Sequence, residues 1–80
     1  MNNYDDKVKS IISNVIKVKK EVIALDDELA QKYNMDSMQR VEMVIELEKE
    51  FEVAIPDETA ATLLTAQQII DFLKHGISQK

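Results

Sequence analysis

Apolar residues recur along this chain at the spacing of a helix face. Val8, Ile11, Ile12, Val15 and Ile16 fall at i, i+3, i+4, i+7 and i+8, the pattern of one buried helical stripe. It predicts a first helix over residues 4–18, with Asn3 as its N-cap and Asp5 and Asp6 in its first turn. A second helix is predicted over 37–51, with Met43, Val44, Leu47 and Phe51 able to face a core. Met38, Val41 and Ile45 form another row on it at spacings of three and four. Few helices in a small bundle bury apolar residues all round, so one of the two rows is expected to be exposed.

Pro56 and Asp57 punctuate the chain and start a short third helix over 57–62. Thr65-Ala66-Gln67-Gln68 reads as a capping box that opens a fourth. Ile69, Ile70, Phe72 and Leu73 pattern that helix. Lys74 and His75 suit its negative end, and Gly76 suits the C′ position. Residues 19–36 form a long first connection. Val22, Ile23, Leu25 and Leu29 are apolar enough to pin it to the core, with a partly helical turn over 26–32. The fold class expected is all-α: a small four-helix bundle with a long first connection and a short third helix, in one domain over residues 1–80.

Composition narrows the chemistry. The chain has 80 residues and no cysteine, so it has neither disulfides nor thiolate metal ligands. Any thiol chemistry must come from an added group. The single glycine, Gly76, excludes a Gly-rich phosphate cradle. Asp26, Asp27 and Glu28 fail as a calcium loop, because the sixth position is Gln31 and the twelfth is Ser37. No metal site is expected.

Net charge is −5 and is unevenly placed. Residues 1–20 carry five lysines against Asp5 and Asp6, a net of +3. Residues 36–58 carry eight acids against Arg40 and Lys49, a net of −6. The larger patch has the wrong sign for nucleic acid and suits a protein with a basic surface. No apolar run approaches membrane-spanning length. The N-terminus opens with two aspartates and lacks a continuous apolar core, which argues against a secretory signal. The expected setting is the cytoplasm, or an organelle after removal of a transit peptide.

Ser37 stands where the polar connection meets the second helix. A hydroxyl there faces unsatisfied N–H groups and the positive end of the helix dipole, a good place for a phosphate ester. No general base lies beside it in sequence, so it is a poor self-activating nucleophile. His75, the lone histidine, is explained by its place near a helix end. On local sequence alone Ser37 is an ordinary helix-start serine, Asp36 an N-cap, and Glu42, Glu46, Glu48 and Glu50 a solvated face.

The wider pattern changes that reading. Lys32-Tyr33-Asn34-Met35-Asp36-Ser37-Met38 resembles the Asp-Leu-Gly-Ala-Asp-Ser-Leu of the acyl carrier proteins. Val41-Glu42-Met43-Val44 is similar to the family's Val-Glu-Leu-Val, and Glu48-Lys49-Glu50-Phe51 to its Glu-Glu-Glu-Phe. Ile55-Pro56-Asp57-Glu58 is the family's tetrapeptide unchanged. The chain departs from the pattern at Asn34, which replaces a glycine; asparagine tolerates a left-handed backbone next best. Gln39, Arg40 and Lys49 weaken the acidic face.

The resemblance implies a single acyl-carrier domain over residues 1–80 that is not an enzyme. It implies acyl groups held as thioesters on a 4′-phosphopantetheine arm attached to Ser37, in dissociated fatty-acid biosynthesis. It also implies partners: a phosphopantetheinyl transferase and fatty-acid-synthesis enzymes with basic docking surfaces, met by Asp36, Met38, Val41, Glu42, Ile45 and Glu48 of a monomer. A D-alanyl or peptidyl carrier is the near alternative. From another class, an acidic helical adaptor with Ser37 unmodified or phosphorylated remains open.

Overall fold

The connection between the first two long helices leads the chain into the Ser37 end. The computed structural model describes residues 4–79, so Asn3 lies outside the described residues. Five α-helices follow in order: α1 Tyr4–Ile16, α2 Leu29–Tyr33, α3 Ser37–Phe51, α4 Asp57–Ala60 and α5 Ala66–Gln79. A 3-10 turn occupies Lys20–Val22. No strand occurs among the described residues; the one bridge pairs Glu28 with Thr65. The architecture is all-helical, with five α-helices where the apolar pattern predicts four.

Helix ends explain most of the differences. α1 stops two residues short of the prediction because Lys17 takes φ 62. The amides of Lys17 and Val18 both turn back to the Ser13 carbonyl, at 2.8 and 3.3 Å, the first being the bond of an αL cap. α2 begins at Leu29, not 26, because the Glu28 carboxylate caps it by accepting from the Gln31 amide at 2.8 Å. α4 ends at Ala60, where the Thr62 amide and hydroxyl both turn to the Thr59 carbonyl. The predicted box at α5 forms: the Gln68 amide donates to Thr65 Oγ1 at 3.1 Å, and the Thr65 amide donates to Gln68 Oε1 at 3.0 Å.

Gly76 is not a C′ residue, since α5 continues through it to Gln79. An interior glycine costs about 1 kcal/mol relative to alanine and does not by itself stop a helix. Lys74 and His75 therefore precede the last turn of α5.

α1 packs against both α3 and α5. Val8 and Ile12 meet Met43 and Leu47 of α3 and Ile69, Ile70 and Leu73 of α5, all essentially without exposure. Burying each such side chain contributes roughly 1.5–3 kcal/mol. Val44 and Phe51, expected in the core, flank it half-buried. Ile23 and Leu29 pin the connection as expected. Val22 does not: the 3-10 turn points it outward, 57% exposed. Backbone bonds stitch the connection to the approach to α5, Leu29 N–H to the Leu64 carbonyl at 3.0 Å and Gln67 N–H to the Leu25 carbonyl at 2.9 Å. The radius of gyration, 11.5 Å, is that of a compact globule of this length.

A polar pin completes the connection. The Tyr33 hydroxyl donates to Asp27 at 2.6 Å, and the Ala24 amide donates to the same carboxylate at 3.0 Å. The Tyr33 bond, then the Ala24 amide, holds Asp27 below the usual carboxylate range, with Lys32 at 3.2 Å adding to it. The Asp27 bond and then burial push the Tyr33 hydroxyl up to about 12. No helix among the described residues is long and apolar enough to cross a membrane.

Candidate site at the start of α3

Asn34 turns the chain from α2 toward α3. It takes φ 56, ψ 38, the left-handed region expected of the residue replacing the family glycine. Met35, 8% exposed, then anchors the backbone in the core. Asp36 is extended and caps α3: its carboxylate accepts from the Gln39 amide at 2.8 Å. The Gln39 side chain accepts from the Asp36 amide at 3.1 Å, which completes a capping box. Gln39 Nε2 also donates to the Val15 carbonyl in the last turn of α1, at 3.4 Å. The start of α3 is thus tied both to itself and to α1.

Ser37 is the first residue of α3 and is exposed. Among the described residues its hydroxyl makes no hydrogen bond, with His75 or with any other base. The helix start aims the amides of Ser37 and Met38 outward, and the dipole there favours an anion. The arrangement presents a free hydroxyl in a field that suits a phosphate ester. No group of three or more potential metal ligands occurs among the described residues.

Behind Ser37 the uncertain row resolves outward. Met38, Val41 and Ile45 are 72%, 57% and 44% exposed, while Met43 and Leu47 take the core. The glutamates differ from one another. Glu42 and Glu46 are exposed. Glu50 pairs with Lys7 at 3.0 Å. Glu48, expected to meet partners, is half-buried and accepts the Ile55 amide at 2.9 Å, bracing the turn into α4. Between α3 and α4 lies an open groove of about 370 Å³, lined by Arg40, Val41, Val44, Ile45, Ile55 and Ala60 among others.

The sequence model of the phosphopantetheine attachment site family matches residues 6–73. The chain is 37% identical over 73 residues to an acyl carrier protein of Thermosynechococcus vestitus, covering 91% of this chain and 90% of that one. It is 36% identical over 75 residues to an acyl carrier protein of Buchnera aphidicola subsp. Schizaphis graminum, covering 94% and 95%.

The chain belongs to the acyl carrier protein family. Members of this family are carriers rather than enzymes, and the matched domain is the one to which phosphopantetheine is attached. The residues of this carrier fit such a group: an exposed hydroxyl, without a hydrogen bond among the described residues, sits on a capped helix start. Sequence reading missed the roles of Gln39. Its signal was present, since Asp-x-x-Gln ahead of an apolar helix is a capping-box spacing.

Proposed function

We propose that this carrier holds acyl groups as thioesters on a 4′-phosphopantetheine arm esterified to Ser37, serving fatty-acid synthesis by separate enzymes. The observation that carries this reading is the exposed Ser37 hydroxyl on the first residue of α3, next to the exposed Met38, Val41 and Ile45 row. The arm would supply the thiol that a chain without cysteine lacks. The protein's own part is attachment, positioning and recognition. Ser37 Oγ would supply the ester oxygen as the pyrophosphate bond of coenzyme A breaks and its adenosine bisphosphate portion leaves; the hydroxyl proton would pass to a base on the transferase, because among the described residues the hydroxyl has no hydrogen-bonded base.

The glutamates of α3 and the intact Ile55-Pro56-Asp57-Glu58 favour the fatty-acid branch. Asp36, Met38, Val41, Glu42 and Ile45 would meet the transferase and the synthesis enzymes, while Glu48 would act chiefly by bracing α3 against α4. The α3–α4 groove is the nearest apolar shelter for a short acyl chain. The chain would act as a single-domain monomer in the cytoplasm.

Intact mass after incubation with coenzyme A and a broad-specificity phosphopantetheinyl transferase tests this. One arm should be added to the native chain and none to Ser37→Ala, with helical circular dichroism unchanged. An arm added to Ser37→Ala at another serine would sink the assignment.

A further inference from the structure

The four glutamates of α3 are not equivalent. Glu48 is occupied by the Ile55 amide and Glu50 by Lys7. Glu42 and Glu46 make no ion pair among the described residues. They stand one turn apart on α3, where like charges repel. With Ile45 they form one wall of a groove of about 410 Å³ whose other wall is Ile11, Asn14 and Val15 of α1. A second hollow shares Ile11, Asn14 and Glu46 and extends the groove to Lys7 and Glu50. The Lys7–Glu50 ion pair borders that end. The groove therefore has a neutral α1 wall, an acidic α3 wall and apolar patches from Ile11 and Ile45.

We infer that the α1–α3 groove receives a cationic amphipathic segment of the partner enzyme, so that α1 supplies half of a docking site. The inference rests on the carrier reading above. Charge complementarity selects the occupant: a Lys or Arg between Glu42 and Glu46 relieves their repulsion, and an apolar side chain beside it covers Ile11 and Ile45. An anionic lipid surface would meet the same carboxylates with the wrong sign. A bare metal ion would leave the apolar part of the groove uncovered. Ile45 belongs both to this groove and to the exposed row of α3, so the groove continues the face beside Ser37. Glu42 lies about 8 Å along the helix axis from Ser37.

Asn14 is exposed and carries no charge, which makes it the discriminating position. Asn14→Lys places a cation in the groove without disturbing the core, and Asn14→Ala is its control. With a phosphopantetheinyl transferase and coenzyme A at low salt, Asn14→Lys should raise the KM for the carrier roughly tenfold, the size of one lost charged contact, with kcat kept. Asn14→Ala, which removes the side-chain amide without adding charge, should raise KM less than Asn14→Lys does, and the melting temperature of Asn14→Lys should be unchanged or higher. Docking is also read without loading, on the Ser37→Ala chain, where adding transferase should shift the amide resonances of Ile11 and Asn14. If Asn14→Lys loads like the native chain while Glu42→Lys slows loading, α1 is not part of the site. If the Ile11 and Asn14 resonances stay still while those of α3 move, the same conclusion follows. Both results leave attachment at Ser37 intact, whereas an unloaded native chain overturns the carrier reading itself.

Discussion

Asp36 and Gln39 cap each other. The Asp36 carboxylate takes the Gln39 amide at 2.8 Å, and the Gln39 side chain takes the Asp36 amide at 3.1 Å. Between them they fix the backbone on both sides of Ser37. The remaining Gln39 donor reaches the Val15 carbonyl, so the helix that presents Ser37 is registered against α1 as well as capped.

Asp36→Ala should cost about 1 kcal/mol of stability, the usual value of an N-cap. Asp36→Asn, which keeps an acceptor oxygen, should cost a few tenths. Gln39→Glu should keep the bond to the Asp36 amide and lose the donor to Val15. Urea denaturation of the set checks the order: Asn mildest, Ala worst at position 36. Equal midpoints for Asp36→Ala and the native chain would show that the box does not stabilise α3.

Lys17 and Glu52 each end a helix in the left-handed region, at φ 62 and φ 54. A residue with a Cβ is strained there by about 1–2 kcal/mol relative to glycine. Glycine returns part of that through the freedom it adds to the unfolded chain, about 0.4–1 kcal/mol. Lys17→Gly and Glu52→Gly should each stabilise by about 0.5 kcal/mol net, while Lys17→Ala should not stabilise. The urea midpoint should rise with unchanged slope.

The Asp27–Tyr33 pin should make stability fall at both pH extremes. Asp27 has a folded pKa below its unfolded value, held down first by the Tyr33 hydroxyl. Its contribution is present above the ordinary carboxylate range, near pH 4, and is lost as pH falls through the lower folded value. Tyr33 is raised to about 12, first by the bond to Asp27. Its contribution is present below the unfolded value near 10 and is lost as pH rises through 12. Subtracting the stability of Tyr33→Phe from that of the native chain should leave a difference that is flat between about pH 5 and 9 and shrinks outside. A difference independent of pH down to 2 would mean the pair is not coupled to folding.

The long helices were legible because their signal repeats. Val8 to Ile16 and Met43 with Leu47 each repeat the helical spacing, and the Ser37 start of α3 coincides with the prediction. What stayed hidden depends on single contacts. The end of α1 turns on one residue, Lys17, adopting a conformation that its composition does not announce. Val22 looks like an anchor in sequence but faces out, because a 3-10 turn sets its direction. Glu48 and Glu42 are the same residue type on the same helix, and only the position of the Ile55 amide separates the brace from the free carboxylate. The exposed row could be narrowed to one of two stripes in sequence, but choosing between them needed the packing of α1 and α5.

That choice separates stability from binding on α3. Val41 is 57% exposed and Met43 is fully buried. Met43→Ala should cost roughly 2–5 kcal/mol through the cavity it leaves. Val41→Ala removes little buried area and should leave the urea midpoint nearly unchanged. If Val41 inserts into a partner, its truncation should instead speed dissociation from the transferase. Glu42→Lys should act on the other rate. It turns attraction toward a basic surface into repulsion, so association should slow severalfold at low salt and lose much of its salt dependence. Glu48→Gln keeps an oxygen for the Ile55 amide and removes one charge, so its effect on association should be smaller than that of Glu42→Lys. Stopped-flow association and dissociation rates, measured beside urea melts on the same four variants, resolve these expectations. Association of Glu42→Lys at the native rate at low salt would show that the acidic face is only solvated, and steering would have to be sought elsewhere on the molecule.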